Sequence, residues 1–191
     1  MHTAVDEIAP DTFRLSTYIP DVGPTGMTFN QFLIRDEQPM LFHTGHRQLF
    51  PLVSEAVGTL VPLEDLMHDP ARFFRYDMAD RPPVPLEDGQ VIELGSHRVR
   101  HIDTPHVPHG WEARLIFDET TGTLFCGDLM TQLGEADPLV DNDVLAAAAV
   151  AEDMFGATCL TPATAPTIRR LADLGATTLA TMHGSAFNGD A

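Results

Sequence analysis

The sequence predicts an α/β domain whose first strands form a sheet with helices packed on one side. Residues 12–18 and 28–34 alternate apolar and polar residues or run apolar, as strands do, and a stretch rich in proline and glycine separates them. A short third strand is expected over 38–42. It is followed by residues 46–60, whose apolar positions recur at helical spacing. Three strands followed by a helix favour a sheet that is covered by helices.

The later elements are predicted from periodic segments separated by turn signals. Residues 61–89 contain several prolines and no clean periodicity, so they are predicted to be mostly loop, with a short element near 72–76. The chain is then expected to form, in order, a hairpin (90–94 and 97–102), a second hairpin (112–118 and 123–126), two helices (142–155 and 165–174) and a last strand (177–182).

Composition limits the classes of partner and the compartment. The 191 residues fit one domain spanning residues 1–191, and the formal net charge of −17 disfavours binding to nucleic acid or to anionic membranes. The first residues lack the apolar core of a secretory signal, and no apolar run is long enough to span a bilayer. Two cysteines do not make a disulfide framework, so we predict a cytoplasmic protein.

Side chains that can bind metal collect where the predicted strands end. They lie in four groups: His43-Thr44-Gly45, Asp103-Thr104-Pro105-His106 with His109 close behind, Gly127-Asp128, and His183-Gly184. Strand ends are where sites collect in layered α/β proteins, because rigid strands fix the side chains that follow them. Imidazole and carboxylate groups suit Zn, Fe and Mn. The sequence therefore predicts a metal site at one edge of the sheet.

Four segments resemble motifs of the metallo-β-lactamase fold superfamily. The opening of that fold is similar to FNQFLIRDEQPMLFHTG, and its second, third and last metal-ligand motifs are similar to TPHVPHGW, FCGDLM and TMHGSAF. The sequences of these motifs are most similar to those of the oxygen-binding di-iron domains of flavodiiron-like proteins. The resemblance covers nearly the whole chain in order. It implies an αββα sandwich of metallo-β-lactamase type, here internally shortened and truncated at the C-terminus.

The resemblance also implies a set of metal ligands. His106 corresponds to the ligand after the Thr-Pro turn, Asp128 to the carboxylate that bridges two metals, and His183 to the final ligand. His109 is the alternative to His106, because the turn can be aligned with a shift of a few positions. His43 stands where the family usually has an Asp.

The family's central ligand run is missing from this sequence. That run, His-x-His-x-Asp-His or, in the di-iron branch, His-x-Glu-x-Asp-His, is expected between about Leu66 and Arg81, where only His68-Asp69 occurs. Without it each metal keeps two of four expected protein ligands, and two ligands hold a metal weakly. Two alternatives would still give a metal site. In the first, His106, Asp128 and His183 share one ion. In the second, the missing ligands are supplied by His43, His46, His68 or Asp69.

Three functions remain open from the sequence. The first is an iron-containing domain that binds or reduces O₂, and the second is a zinc-dependent hydrolase whose metal-bound water attacks a small substrate. In both cases the missing run makes metal occupancy low. The third is a metal-free relative that binds a partner without catalysis. Loss of a segment beside the sheet would expose a sheet edge and apolar surface. Such surfaces favour association, so a homodimer is a further alternative.

Each candidate residue also has a purely structural interpretation. His106, Asp128 and His183 can be turn residues that cap strands through hydrogen bonds, and His109 can be a surface residue or a partner of a ligand. His43 and His46 are interpreted first as loop and helix-start residues. His97 and His101, beside arginines, are expected on a solvated face, and Cys126 is expected to be a packed small residue.

Overall fold

A computed structural model describes residues 1–67 and 85–189 of the chain. Its first sheet has four strands in the order β1-β2-β3-β4, and each neighbouring pair is antiparallel. The strands are β1 (Thr3–Ala9), β2 (Thr12–Ile19), β3 (Met27–Ile34) and β4 (Met40–Phe42). Sheet one is therefore an antiparallel meander formed by the first quarter of the chain.

The second sheet has seven strands in the order β5-β6-β7-β8-β10-β11-β9. Its strands are β5 (Val91–Glu93), β6 (Arg98–Asp103), β7 (Arg114–Asp118), β8 (Thr123–Gly127), β9 (Leu139–Val140), β10 (Thr178–Thr181) and β11 (Ala186–Asn188). Two of the pairings, β8 with β10 and β11 with β9, are parallel, and the others are antiparallel. Sheet two is therefore a mixed sheet.

Few helices accompany these sheets in the described part of the chain. They are a short 3₁₀ turn (Arg47–Leu49) followed by α1 (Phe50–Gly58), α2 (Leu63–Met67), α3 (Leu145–Phe155) and α4 (Thr164–Ala172). Asp143 stabilises the start of α3, because its Oδ1 accepts a hydrogen bond from the Leu145 backbone N–H at 2.7 Å. None of the helices in the described ranges is long and apolar enough to cross a membrane.

Side-chain alternation along the strands produces three apolar clusters. On β3, Phe32 and Ile34 pack with Phe125 and Ala180 of sheet two, whereas the intervening Leu33 packs with α1. The third cluster joins the opposite side of sheet two to Leu171 of α4. Since successive residues of a strand point to opposite faces, one alternating pattern serves two cores at once. The two sheets are held together by the first of these clusters.

Most of the predicted elements are confirmed within a few residues. The structure adds three strands that the sequence did not indicate, β1, β9 and β11, and the predicted loop over 61–89 contains helix α2. The element expected near 72–76 lies outside the described residues. His68, Asp69 and most of the segment where the ligand run is missing also lie outside them, so their assignment stays a prediction.

The solvated face expected for His97 and His101 is wrong. These side chains are only 4% and 1% exposed, and they lie on the same side as Val99, which is fully buried. His97 Nδ1 contacts the buried Asp118 carboxylate at 2.8 Å. The arginines that suggested a polar strand occupy the other face, where Arg98 and Arg100 pair with Glu119. The period of two along the strand, rather than the mean polarity, decides burial here.

Candidate functional site

Two neighbouring parallel strands bring Asp128 and His183 together. Asp128 directly follows β8, and His183 lies two residues beyond the end of β10. Because β8 and β10 are paired in parallel, their carboxyl ends meet at the same edge of sheet two. His43, which directly follows β4, and His109, in the loop between β6 and β7, reach the same edge from other elements.

The Asp128 carboxylate lies between two imidazoles. Its Oδ2 atom is hydrogen-bonded to Nε2 of His109, and its Oδ1 atom lies 3.2 Å from Nε2 of His183. Burial alone would raise the pKa of Asp128, but the neighbouring imidazoles of His183 and His109 hold it at about 2. Asp128 is therefore a carboxylate near neutral pH.

The orientation of His183 is set by sheet one. Its Nδ1 atom lies 2.7 Å from the Thr28 carbonyl oxygen, which can only accept, so Nδ1 carries a proton and donates. The Thr28 hydroxyl in turn accepts from the Gly184 backbone N–H at 2.7 Å. These two bonds fix the ring so that Nε2 faces Asp128. Metal-ligating histidines commonly have this arrangement, in which the other ring nitrogen donates to a carbonyl.

The turn after β10 is anchored further by buried polar residues of sheet one. Arg14, which is 2% exposed, and Asn30 both donate to the Gly184 carbonyl oxygen, at 3.0 Å and 2.9 Å. Asn30 also donates to the Thr181 carbonyl oxygen at 2.8 Å. Burial lowers the pKa of Arg14 to about 10, so it remains charged near neutral pH. The position of His183 is therefore determined by both sheets.

His43 adds a third imidazole whose ring nitrogen has no partner. Its Nε2 atom is buried and makes no hydrogen bond. Burial is the main reason that the pKa of His43 is lowered to about 4; His183 lowers it further, and the charge of Asp128 opposes the change. His43 is therefore neutral at pH 7. A cavity of about 370 Å³ is lined by His43, Asp128 and His183 together.

The structure brings His109, rather than His106, to Asp128. The backbone N–H of His106 donates to the Trp111 carbonyl oxygen, and its buried Nδ1 atom has no hydrogen-bond partner. The ring of His109 stacks on Trp111, with centroids 4.2 Å apart and an interplanar angle of 12°. Whether His106, His109, Asp128, His183 or His43 binds metal is not tested by these contacts, so the ligand assignments stay predictions.

Unfavourable backbone conformations concentrate at this edge. Among the residues that the structure describes, five other than glycine have positive φ: Asp11, His43, His106, His109 and Met130. Four of the five belong to the loops around Asp128. A non-glycine residue in this region costs on the order of 1–3 kcal/mol and persists where the surroundings enforce it, commonly at functional sites. The loops are therefore held in place at a cost in stability.

The described residues do not fit a two-metal centre. Within residues 1–67 and 85–189 no group of three or more His, Cys, Asp or Glu side chains is arranged to hold a metal ion. The direct hydrogen bond between His109 and Oδ2 of Asp128 leaves no space for an ion between those two atoms. Nε2 of His183 and Oδ1 of Asp128, 3.2 Å apart, stand at the separation of two ligands on one ion.

Two further cavities flank the His109–Asp128 contact. The larger, of about 580 Å³, is bounded by α3 and by the loop after β8. The smaller, of about 360 Å³, is lined by His43, His101, Trp111 and Arg114. Both volumes fall within or near the range of small-molecule pockets. A molecule of moderate size would therefore reach Asp128 from either side.

Comparisons with known proteins give a fold but no sequence family. No family model matches the chain, and no curated protein matches its sequence. The flavodiiron protein of Giardia intestinalis superposes with a TM-score of 0.80 at 13% identity, over 100% of this chain and 57% of that one. The Flv1 flavodiiron core of Synechocystis sp. PCC6803 gives 0.78 at 16% identity, over 98% and 57%. The chain has the fold of a flavodiiron protein core.

A third similar structure is the rubredoxin oxygen:oxidoreductase of Desulfovibrio gigas, with a TM-score of 0.68 at 16% identity. It is matched over 98% of this chain and 58% of its own. The chain thus spans somewhat more than half the length of each of these three proteins. The resemblance predicted from the motifs is confirmed at the level of fold.

Proposed function

We propose that this chain is a flavodiiron-fold domain, of the αββα type, whose metal centre is incomplete. In this proposal Asp128 and His183 are the two remaining ligands of an ion. His109 occupies the neighbouring ligand position, which the resemblance assigned to His106. Iron is the expected metal and O₂ the expected small molecule, since one structural neighbour is named as an oxygen oxidoreductase. The bound metal would supply the redox chemistry.

One observation carries the proposal. The proton on Nδ1 of His183 is committed to the Thr28 carbonyl, and Nε2 faces Oδ1 of Asp128, a buried atom without a hydrogen-bond partner. Buried carboxylate oxygens without a partner are rare because desolvation is costly. A cation between the two atoms would satisfy both. With two protein ligands instead of the usual three or four, that cation would be held weakly.

Metal content tests the proposal directly. Protein purified aerobically and anaerobically is analysed for iron and zinc together, with its intact mass measured on the same sample. We expect fewer than about one metal ion per chain in total, because two ligands hold an ion weakly. The isosteric Asp128→Asn variant should lose what remains, whereas Asp141→Asn, at an exposed aspartate, should not. Two iron ions per chain would contradict the proposal.

A metal-free binding domain is the second candidate, and one feature favours it. If Nε2 of His183 carries a proton, imidazolium and carboxylate form an ion pair that satisfies Asp128 without any metal. Absence of metal from every preparation, with a lower melting temperature for Asp128→Asn than for Asp141→Asn, would support this candidate over the first. The zinc hydrolase predicted from the sequence would instead require zinc in stoichiometric amount.

A further inference from the structure

The larger cavity beside Asp128 has mainly apolar walls. Helix α3 contributes Leu145, Ala149 and Phe155 to it, and Met27 of β3 contributes from sheet one. Leu145 and Phe155, at the two ends of α3, remain 59% and 48% exposed, and exposed large apolar side chains often mark a binding surface. The short side chains of α3 leave room between them. A volume of about 580 Å³ suits an organic molecule much larger than O₂.

The Asp128 carboxylate is the acceptor that this cavity offers to a ligand at the proposed site. Other polar lining groups are already paired: Thr131 Oγ1 donates to the Asp128 carbonyl oxygen at 2.6 Å, and Thr158 donates to the Glu152 carboxylate. By contrast, the Asp128 carboxylate, whose Oδ1 lies 3.2 Å from Nε2 of His183 and whose Oδ2 is bonded to His109, is a charged acceptor with further lone pairs. A ligand beside it is therefore expected to present an N–H or O–H group.

Charge selects against an anionic ligand. The residues that line this cavity in the described part of the chain include Asp128 and Glu152 but neither lysine nor arginine. The whole chain has a formal net charge of −17. The imidazoles of His109 and His183 also line the cavity, but both face Asp128. A carboxylate or phosphate brought beside Asp128 would therefore meet like charge with no lysine or arginine in the described lining to offset it, which costs free energy.

We propose that this cavity binds an apolar organic molecule with a hydrogen-bond-donating head group, an amine or an alcohol. The head group lies against Asp128 and the apolar part lies along α3. This inference rests on the proposed function for the location of the reactive edge, but it does not require a bound metal. It gives the domain a substrate class larger and more apolar than a diatomic gas.

Three matched probes test the head group: 4-phenylbutylamine, 4-phenylbutan-1-ol and 4-phenylbutanoate. Binding is followed by the fluorescence of Trp111, the single tryptophan, which stacks on His109, and is checked by the melting temperature of the same samples. The amine and the alcohol are expected to bind at least about tenfold more tightly than the carboxylate. Equal or tighter binding of the carboxylate overturns the inference. The ranking of amine and alcohol shows whether charge or hydrogen bonding dominates.

Two alanines of α3 provide a matched pair of variants. Ala149 and Ala147 are both exposed, but only Ala149 lines the cavity. Leucine and alanine are both good helix formers, so neither Ala149→Leu nor Ala147→Leu should disturb the helix. Ala149→Leu is expected to weaken the amine at least about tenfold by filling the cavity, and Ala147→Leu to leave it unchanged. Equal effects of the two variants overturn the location.

Metal removal separates this inference from the proposed function. The titrations are repeated on the full chain after treatment with EDTA, and the affinities are expected to be at least as high as before, because the ion and the head group share the Asp128 carboxylate. If the amine binds only while metal is present, the ligand is held by the ion and the inference fails, although the proposed metal centre then stands. If metal is absent throughout and the amine still binds, the proposed centre fails and the inference stands.

Discussion

A buried histidine–carboxylate network holds the turn between β7 and β8. The Asp118 carboxylate accepts from His97, from the Thr120 backbone N–H and from the Thr121 hydroxyl, at 2.7–2.9 Å. Asp118 is fully buried. A buried carboxylate that loses a partner retains its desolvation penalty, so removal of one partner costs more than an ordinary hydrogen bond.

Replacement of His97 should therefore destabilise the fold strongly. His97→Ala is expected to lower the free energy of unfolding by about 2–4 kcal/mol, through the lost packing and the unpaired oxygen on Asp118. Urea denaturation at pH 7 measures the change. His46→Ala is the matched control, since His46 is exposed and accepts only one long bond, 3.4 Å, from the Gln48 backbone N–H. A loss below about 0.5 kcal/mol for His97→Ala would show that the network contributes little.

Individual site residues were predictable only in part. The motifs identified Asp128 and His183, which the parallel pairing of β8 and β10 does bring together. The choice between His106 and His109 depends on the conformation of an irregular loop that no periodic pattern describes. His43 reaches the site because the ends of β4 and β8 face each other across two sheets: a Cβ on Gly127 would lie 3.8 Å from its Nε2. Contacts between sheets leave no signal in local sequence.

At the scale of elements, Asp36 connects the two sheets. It precedes β4, whereas the site residue His43 follows that strand. Its carboxylate, in the loop between β3 and β4, accepts from the backbone N–H groups of Ser96 and His97 in the β5–β6 turn, at 3.0 Å and 2.6 Å. Gly95 is required at this turn, because it has a φ of +132° and any Cβ there would collide with Oδ1 of Asp36.

Loss of this carboxylate should weaken the fold in a pH-dependent way. Burial acts to raise the pKa of Asp36, but the backbone hydrogen bonds outweigh it and the pKa is lowered. The stabilisation is therefore fully present above the unfolded value near 3.8 and is lost as the pH falls through the lower folded value. We expect Asp36→Ala to cost about 1–3 kcal/mol at pH 7.

Urea titrations of wild type and Asp36→Ala between pH 7 and pH 3 measure this difference. The gap in unfolding free energy should be constant near neutral pH and should narrow only in the most acidic samples. Glu37→Ala, at the exposed neighbouring residue, is the control and should change little. A gap that widens toward acid pH would contradict the assigned role of Asp36.

The strands that the sequence failed to indicate are either very short or poor in apolar residues. Strands β9 and β11 have two and three residues, too few for a period of two to be recognised. Strand β1 is an edge strand in which Asp6 and Glu7 interrupt the apolar residues, so its apolar positions are sparse. Helices α1, α3 and α4, with longer periodic or alanine-rich segments, were predicted close to their observed bounds.

At the scale of the whole molecule, the site depends on the packing of the two sheets. Sheet two supplies Asp128 and His183, while sheet one supplies His43 and the Thr28 carbonyl that orients His183. A metal that joined these elements would stabilise the folded chain, because a ligand bound only to the native state shifts the unfolding equilibrium. The size of that shift measures how complete the centre is.

The melting temperature of the full chain with one equivalent of Fe(II), kept anaerobic, or of Zn(II) is the most direct measurement. An ion held by two ligands should raise it by less than about 1 °C at micromolar protein. A rise of several degrees with either metal, abolished by Asp128→Asn, would show a complete centre and contradict the account given for Asp128 and His183.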